Sequence, residues 1–172
     1  MDSIDVKLVA LAKSGDDEAF SKIYEQIYKD MYKYALYMLN NRNDAEDIVS
    51  ETVMDIYTGI KKLRKEELFS NWAFKILANK CRMKRKQYIN KEYNLDETRE
   101  KESKDVIENV EMRKDIENAF EILESDEIEV VSMAIFGEYK SNEIAKILGM
   151  KSGTVRSKLS RAFKKLQPKL EV

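Results

Sequence analysis

The chain has 172 residues, with 31 Lys and Arg against 32 Asp and Glu, no His, one Cys and a formal net charge of -1. The absence of His excludes Ser-His-Asp and Cys-His catalysis and any zinc site that uses His, and the lone Cys81 cannot make an internal disulfide or an all-cysteine zinc site. Five Gly and one Pro are too few for the turns of a β-sandwich or barrel, so the composition points to an all-α protein in a reducing compartment, read as the cytoplasm.

The apolar spacing is helical almost throughout. It predicts helices over 5–13, 16–40, 44–62, 71–89, 107–123, 126–136, 141–148 and 152–167. Phe20, Ile23, Tyr24, Ile27, Tyr28, Met31, Ala35 and Met38 recur at intervals of three and four, as do Ile48, Val49, Thr52, Val53, Ile56, Tyr57 and Ile60. Asn43 stands three residues before Glu46 in capping-box style, and Ser70 and Ser125 are candidate N-caps. The N-terminal stretch has no basic n-region and soon turns acidic, unlike a secretion signal. No segment reaches the ~18 apolar residues of a membrane span, so no membrane insertion is expected.

Charge is segregated along this helical chain. Charged residues make up 37% of it, against roughly 25% in an average soluble domain. Residues 1–60 carry a net charge of -6, 61–91 of +9, 92–129 of -10 and 130–172 of +6. Two basic blocks separated by an acidic one suggest two polyanion-facing surfaces on two modules. Residues 91–106, poor in apolar side chains, read as an acidic linker between an N-terminal bundle (1–90) and a smaller C-terminal bundle (107–172).

Within the first basic block, Lys and Arg are interleaved with Phe69, Trp72, Phe74 and Tyr88. Aromatics beside cations suit unpaired bases, with stacking worth about 1–3 kcal/mol per base. Trp72 lies in helical register with Ile76 and Met83 and is expected to be partly core, whereas Phe69, Ser70 and Asn71 are expected in an exposed loop before the helix.

The clearest motif is in the second basic block. Ala145 suits a close helix crossing, Gly149 four residues later suits a tight left-handed turn, and Val155 points back into the bundle, with Ile144, Ile147, Leu148 and Leu159 completing the inner face. This spacing matches a DNA-binding helix-turn-helix. The second helix is expected to bury Val155, Leu159, Ala162, Phe163 and Leu166 and to present Arg156, Ser157, Lys158, Ser160, Arg161, Lys164 and Lys165. Arg reads guanine in bidentate fashion, and Ser152 and Thr154 at the helix start can hold phosphate. Pro168 is expected to end that helix.

Three segments, taken together, resemble the extracytoplasmic-function group of bacterial RNA polymerase sigma factors in the sigma-70 family. They are Asp44-Ala-Glu-Asp-Ile-Val-Ser-Glu-Thr-Val, Asn71-Trp-Ala-Phe-Lys-Ile-Leu-Ala-Asn and Ser152-Gly-Thr-Val-Arg-Ser-Lys-Leu-Ser-Arg-Ala, in the family's order. Ser50, Val53 and Ala73 depart from the usual Gln, Phe and Leu, and Leu123-Glu-Ser-Asp replaces the usual Leu-Pro. The resemblance implies an alternative sigma factor that is not itself a catalyst, with no cofactor and no metal. Its implied partners are core RNA polymerase (the β′ clamp helices and β), promoter DNA and an anti-sigma factor. It implies that Asp44, Asp47, Ile48 and Glu51 dock on polymerase. It implies that Phe69, Ser70, Asn71, Asn79, Lys80, Arg82, Lys84, Arg85 and Lys86 serve the -10 element. It implies that Ser152, Thr154, Arg156, Ser157, Lys158, Ser160 and Arg161 serve the -35 element.

The residues alone leave other readings open. One is a conventional helix-turn-helix regulator of duplex operators, and another is a helical adaptor with no nucleic-acid role. The carboxylates Asp44, Glu46, Asp47 and Glu51 could suggest a metal site, but their density on a His-free helix reads better as a protein-docking face.

Overall fold

The computed structural model describes residues 4–94, 120 and 122–170, with side-chain detail from 4–88, 120 and 122–168. The secondary structure among them is helical. Four helices make an N-terminal bundle: α1 (Val6–Ser14), α2 (Asp17–Leu39), α3 (Arg42–Gly59) and α4 (Phe69–Asn94). Two 3-10 turns, Ile60–Lys62 and Glu66–Leu68, connect α3 to α4. Three further helices follow: α5 (Ser125–Ile135), α6 (Ser141–Leu148) and α7 (Ser152–Leu170). The expected helix 107–123 lies outside the described residues except for Phe120, Ile122 and Leu123, as does the linker beyond Asn94.

Local chemistry sets the boundaries. Asp5, Asp16 and Asn41 cap α1, α2 and α3 by accepting from the amides of Lys7, Ala19 and Asp44 at 2.9, 2.9 and 3.0 Å, each cap worth about 1 kcal/mol. Asn41 therefore opens α3, two residues ahead of the expected Asn43. The α5 cap also lies one residue ahead of expectation, because the Glu124 amide donates to the Glu127 carboxylate at 3.0 Å. Ser70 does not cap α4, since the preceding 3-10 turn feeds straight into a helix that begins at Phe69. Pro168 lies inside α7, which runs on to Leu170.

The buried side chains form one continuous set through both bundles. Ile23, Ile27, Met31 and Tyr34 of α2 meet Ile56 of α3 and Phe74 and Leu77 of α4; Val130, Val131 and Met133 of α5 meet Ile144, Val155, Ala162 and Leu166. The bundles are also in direct contact, with α5 against α2 and α6 against α4.

Candidate nucleic-acid and protein interfaces

The α6–α7 hairpin forms the helix-turn-helix expected from sequence. Ala145 and Val155 are buried at the crossing. Gly149 takes φ 67°, ψ 30°, and the Met150 amide donates to the Ala145 carbonyl at 2.9 Å, closing the left-handed end of α6. Thr154, Arg156, Ser157, Ser160 and Arg161 are exposed along α7, and Ser152 is half-buried at its start. The Ser157 hydroxyl donates to the Gly153 carbonyl at 3.0 Å, which fixes its rotamer on that face. Lys158 departs from expectation, because it turns back to pair with Asp126 of α5. Lys165 does the same with Glu127 at 2.7 Å and Glu124 at 3.7 Å. Phe163 is 45% exposed rather than buried, since its neighbour Ala162 occupies the inward position.

Three acids, Glu124, Asp126 and Glu127, brace the underside of α7. Burial pushes the Glu127 carboxyl up. The bonds from Lys165 and the Glu124 amide, with the charges of Lys165 and Arg161, outweigh burial and hold it below the usual carboxylate value.

On α3, Asp47 and Glu51 are exposed on one face, as their spacing of four requires. Two further residues extend that face and were missed from sequence. Asp55 is the next step of four, and Met54 is 61% exposed beside it. The interval of four was the available signal. Lys80 of α4 lies between Glu51 at 3.2 Å and Asp55 at 3.0 Å. Ile48 was expected on this face but is 7% exposed and belongs to the core, its apolar side chain packing inward with Ala45 and Thr52. Asp44 lies on the same side of α3, seven residues before Glu51, but is half-buried, pairing with Lys84 at 2.6 Å and accepting from the Tyr88 hydroxyl.

The face of α4 expected to serve the -10 element is largely engaged. Phe69 is 1% exposed, so it is not in an exposed loop. It occupies the first turn of α4 and packs on Trp72, their ring centroids 6.1 Å apart. Ser70 and Asn71 share that first turn and are half-buried. The Ser70 carbonyl accepts from the Tyr139 hydroxyl at 3.2 Å. Asn79 is exposed, with Arg82 reaching its amide oxygen at 3.5 Å. Arg82 donates through Nε to Glu129 of α5 at 2.7 Å, and Arg85 donates to the Ser125 carbonyl at 3.3 Å. Lys86 is exposed.

Glu129 is the residue here that the sequence did not single out. It is 4% exposed, and its Oε1 also lies 3.5 Å from the buried Tyr34 hydroxyl. Burial raises its carboxyl above the usual value, against the pull of Arg82, Tyr34 and Arg85. Burial likewise lowers the Arg85 guanidinium. Among the described residues no His, Cys, Asp and Glu cluster has metal-site geometry, and no helix is long and apolar enough to cross a membrane.

Comparison with known proteins accords with this geometry. A family model described as Sigma-70 region 2 matches residues 23–88, and one described as Sigma-70, region 4 matches residues 113–166. The chain is 27% identical over 179 residues to the ECF RNA polymerase sigma factor SigW of Bacillus subtilis strain 168, with 95% of each protein covered. It is 29% identical over 146 residues to RNA polymerase sigma factor SigV of the same organism, covering 83% of this chain and 85% of that one. Among solved structures it superposes on CnrH in complex with the cytosolic domain of CnrY. The TM-score is 0.71 at 21% identity, over 98% of this chain and 97% of that one. It also superposes on the sigma factor RpoE bound to the anti-sigma factor NepR from Bartonella quintana. Here the TM-score is 0.71 at 22% identity, over 89% of this chain and 97% of that one.

Proposed function

Because this chain belongs to the extracytoplasmic-function group of the sigma-70 family and acts as an alternative sigma factor in transcription initiation, we propose which of its surfaces do each part of that work. Residues 1–90 dock on core RNA polymerase and engage the -10 element. Residues 107–172 read the -35 element, and 91–106 link the two. The protein contributes binding and strand separation and no catalysis, and it works in the cytoplasm.

The observation that carries this reading is the pairing of two differently charged faces, one on each of two helical bundles. The α3 face of Asp47, Glu51, Met54 and Asp55 offers carboxylates at helical spacing around an exposed thioether. It suits a basic helical partner surface, and on polymerase the clamp helices of β′ are the surface it would meet. The α7 face of Arg156, Ser157, Ser160 and Arg161 suits a major groove, with Ser152 and Thr154 on the flanking phosphates. Asn79, Arg82, Lys84, Arg85 and Lys86 form the strand-facing side of α4, while Phe69, Ile48 and Asp44 act indirectly by packing and pairing. An anti-sigma partner is part of the proposal, because the solved neighbours named above include a sigma factor held by one.

The experiment is competition between the purified chain and a housekeeping sigma factor for bacterial core RNA polymerase. The proposal expects displacement at submicromolar concentration and a clear loss of that affinity in Asp47→Lys. A folded chain that does not bind core polymerase would instead favour a regulator that acts on duplex operators alone.

A further inference from the structure

Helix α4 has two engaged flanks and a crest between them. On one flank, Lys80 pairs with Glu51 and Asp55 of α3, and Lys84 pairs with Asp44. On the other, Arg82 and Arg85 reach Glu129 and the Ser125 carbonyl of α5. Lys75, Asn79, Met83 and Lys86 follow one another along the crest at helical intervals of four, four and three, and all are exposed. Trp72 and Ile76 continue the crest toward the helix start but are half-buried. At 64% exposure, Met83 is the most exposed large apolar side chain among the described residues.

Charge decides what an exposed methionine can meet. Met54 of α3 is 61% exposed, but Glu51 and Asp55 stand beside it, and an anionic backbone is repelled there. Met83 has the opposite setting. No acidic residue occurs from Phe69 to Lys91, and Asn79, Lys80 and Lys86 lie within about one turn of it. An apolar tip in a basic field suits a side chain that enters a base stack. Methionine fits an irregular gap, because it is unbranched and its sulfur makes favourable contacts with aromatic rings.

We propose that Met83 is the wedge that starts strand separation. Its side chain enters the stack at the edge of the -10 element, and Asn79, one turn earlier, hydrogen-bonds the edge of the released base. Lys75 and Lys86 hold phosphates on either side. This rests on the assignment of α4 to the -10 strand, and it moves the work of opening from the engaged cations to the crest. The wedge fills the gap that lost stacking leaves, so it favours opened over paired DNA. It is therefore dispensable where the pairs are already broken.

The test uses the full chain in complex with core polymerase and one promoter fragment in two forms, fully paired and mismatched across the -10 element. Run-off transcription reads both forms, and permanganate reactivity of the -10 thymines reads opening of the paired one. Met83→Ala is expected to lower the ratio of transcription from the paired to the mismatched form about tenfold, with permanganate reactivity falling in step. Met83→Leu keeps an apolar tip and should restore the ratio. Circular dichroism checks that each variant remains helical. Equal loss on both forms, no loss on either, or a loss that Met83→Leu does not repair would overturn the wedge. A double variant, Lys75→Glu with Lys86→Glu, separates the two layers. Loss on both forms keeps α4 on the strand even if the wedge fails, and undiminished transcription from both removes the assignment on which the wedge rests.

Discussion

The two basic helices of this molecule are presented in opposite ways. On α7, Arg156 and Arg161 point to solvent from a helix braced beneath by Lys158–Asp126 and Lys165–Glu127 pairs. On α4, Lys80, Arg82 and Lys84 are each paired with a carboxylate of another helix, and Arg85 holds a backbone carbonyl of α5. Similar residue types thus yield an available basic face and an occupied one. The difference lies in the neighbours. Helix α7 lies over acids that engage its flank, whereas acids of α3 and α5 engage the very side chains of α4 proposed to serve the -10 strand. The free chain should therefore touch duplex DNA first through α7, and α4 should become competent only after the bundles part.

The largest effects should come from breaking the available reader. Arg161→Ala is expected to lower promoter-directed transcription about tenfold to a hundredfold, from a loss of ~1–3 kcal/mol per bidentate base contact, with core polymerase affinity unchanged. Equal loss of both would point to misfolding. Arg82→Ala should differ in kind, impairing the polymerase-bound step of promoter opening with core polymerase affinity unchanged. A next, smaller effect concerns the turn that aims α7. Gly149→Val forces a β-branched side chain into the left-handed region and should cost about 1–2 kcal/mol, read as a lower melting temperature of the C-terminal helices.

Much of this was legible in the sequence, and the parts that were not have physical reasons. The helix-turn-helix was legible because Ala145, Gly149 and Val155 answer to one local geometry that no distant residue can alter. The shared exposed face of Asp47 and Glu51 on α3 was legible for the same reason. Ile48 was misplaced because a motif was carried over whole, although its apolar side chain already favoured the core. Phe69 was misplaced because Ser70 and Asn71 resemble loop and cap residues. The 3-10 turn Glu66–Leu68 absorbs the chain reversal instead and lets α4 begin at Phe69. Glu129 could not have been found, since one carboxylate in a strongly acidic stretch carries no mark of the Arg82 it will meet 47 residues away.

Two smaller effects sharpen the contrast further. The depressed Glu127 carboxyl stabilises the folded C-terminal bundle above its reference value of 4.5 and loses that contribution as pH falls through its folded value. The bracing of α7 should therefore weaken on acidification below about pH 4.5, and Glu127→Gln should flatten the dependence of melting temperature on pH in that range. On α4, burial pushes the Cys81 thiol up to about 12, with the Glu129 carboxylate adding to the shift against Arg85. Alkylation of Cys81 in the folded chain should be at least about tenfold slower than in denaturant. Fast reaction would show that this side of α4 is open more often than the contacts imply.

The most direct test of the contrast is the distance between the two bundles in solution. Fluorophores at Ser21→Cys on α2 and Asn142→Cys on α6, both exposed positions, report it by energy transfer with and without core RNA polymerase. The account predicts a single high-transfer state for the free chain and a low-transfer state once polymerase is added. High transfer retained in a polymerase complex competent for promoter opening would contradict it, as would a free chain already in the low-transfer state.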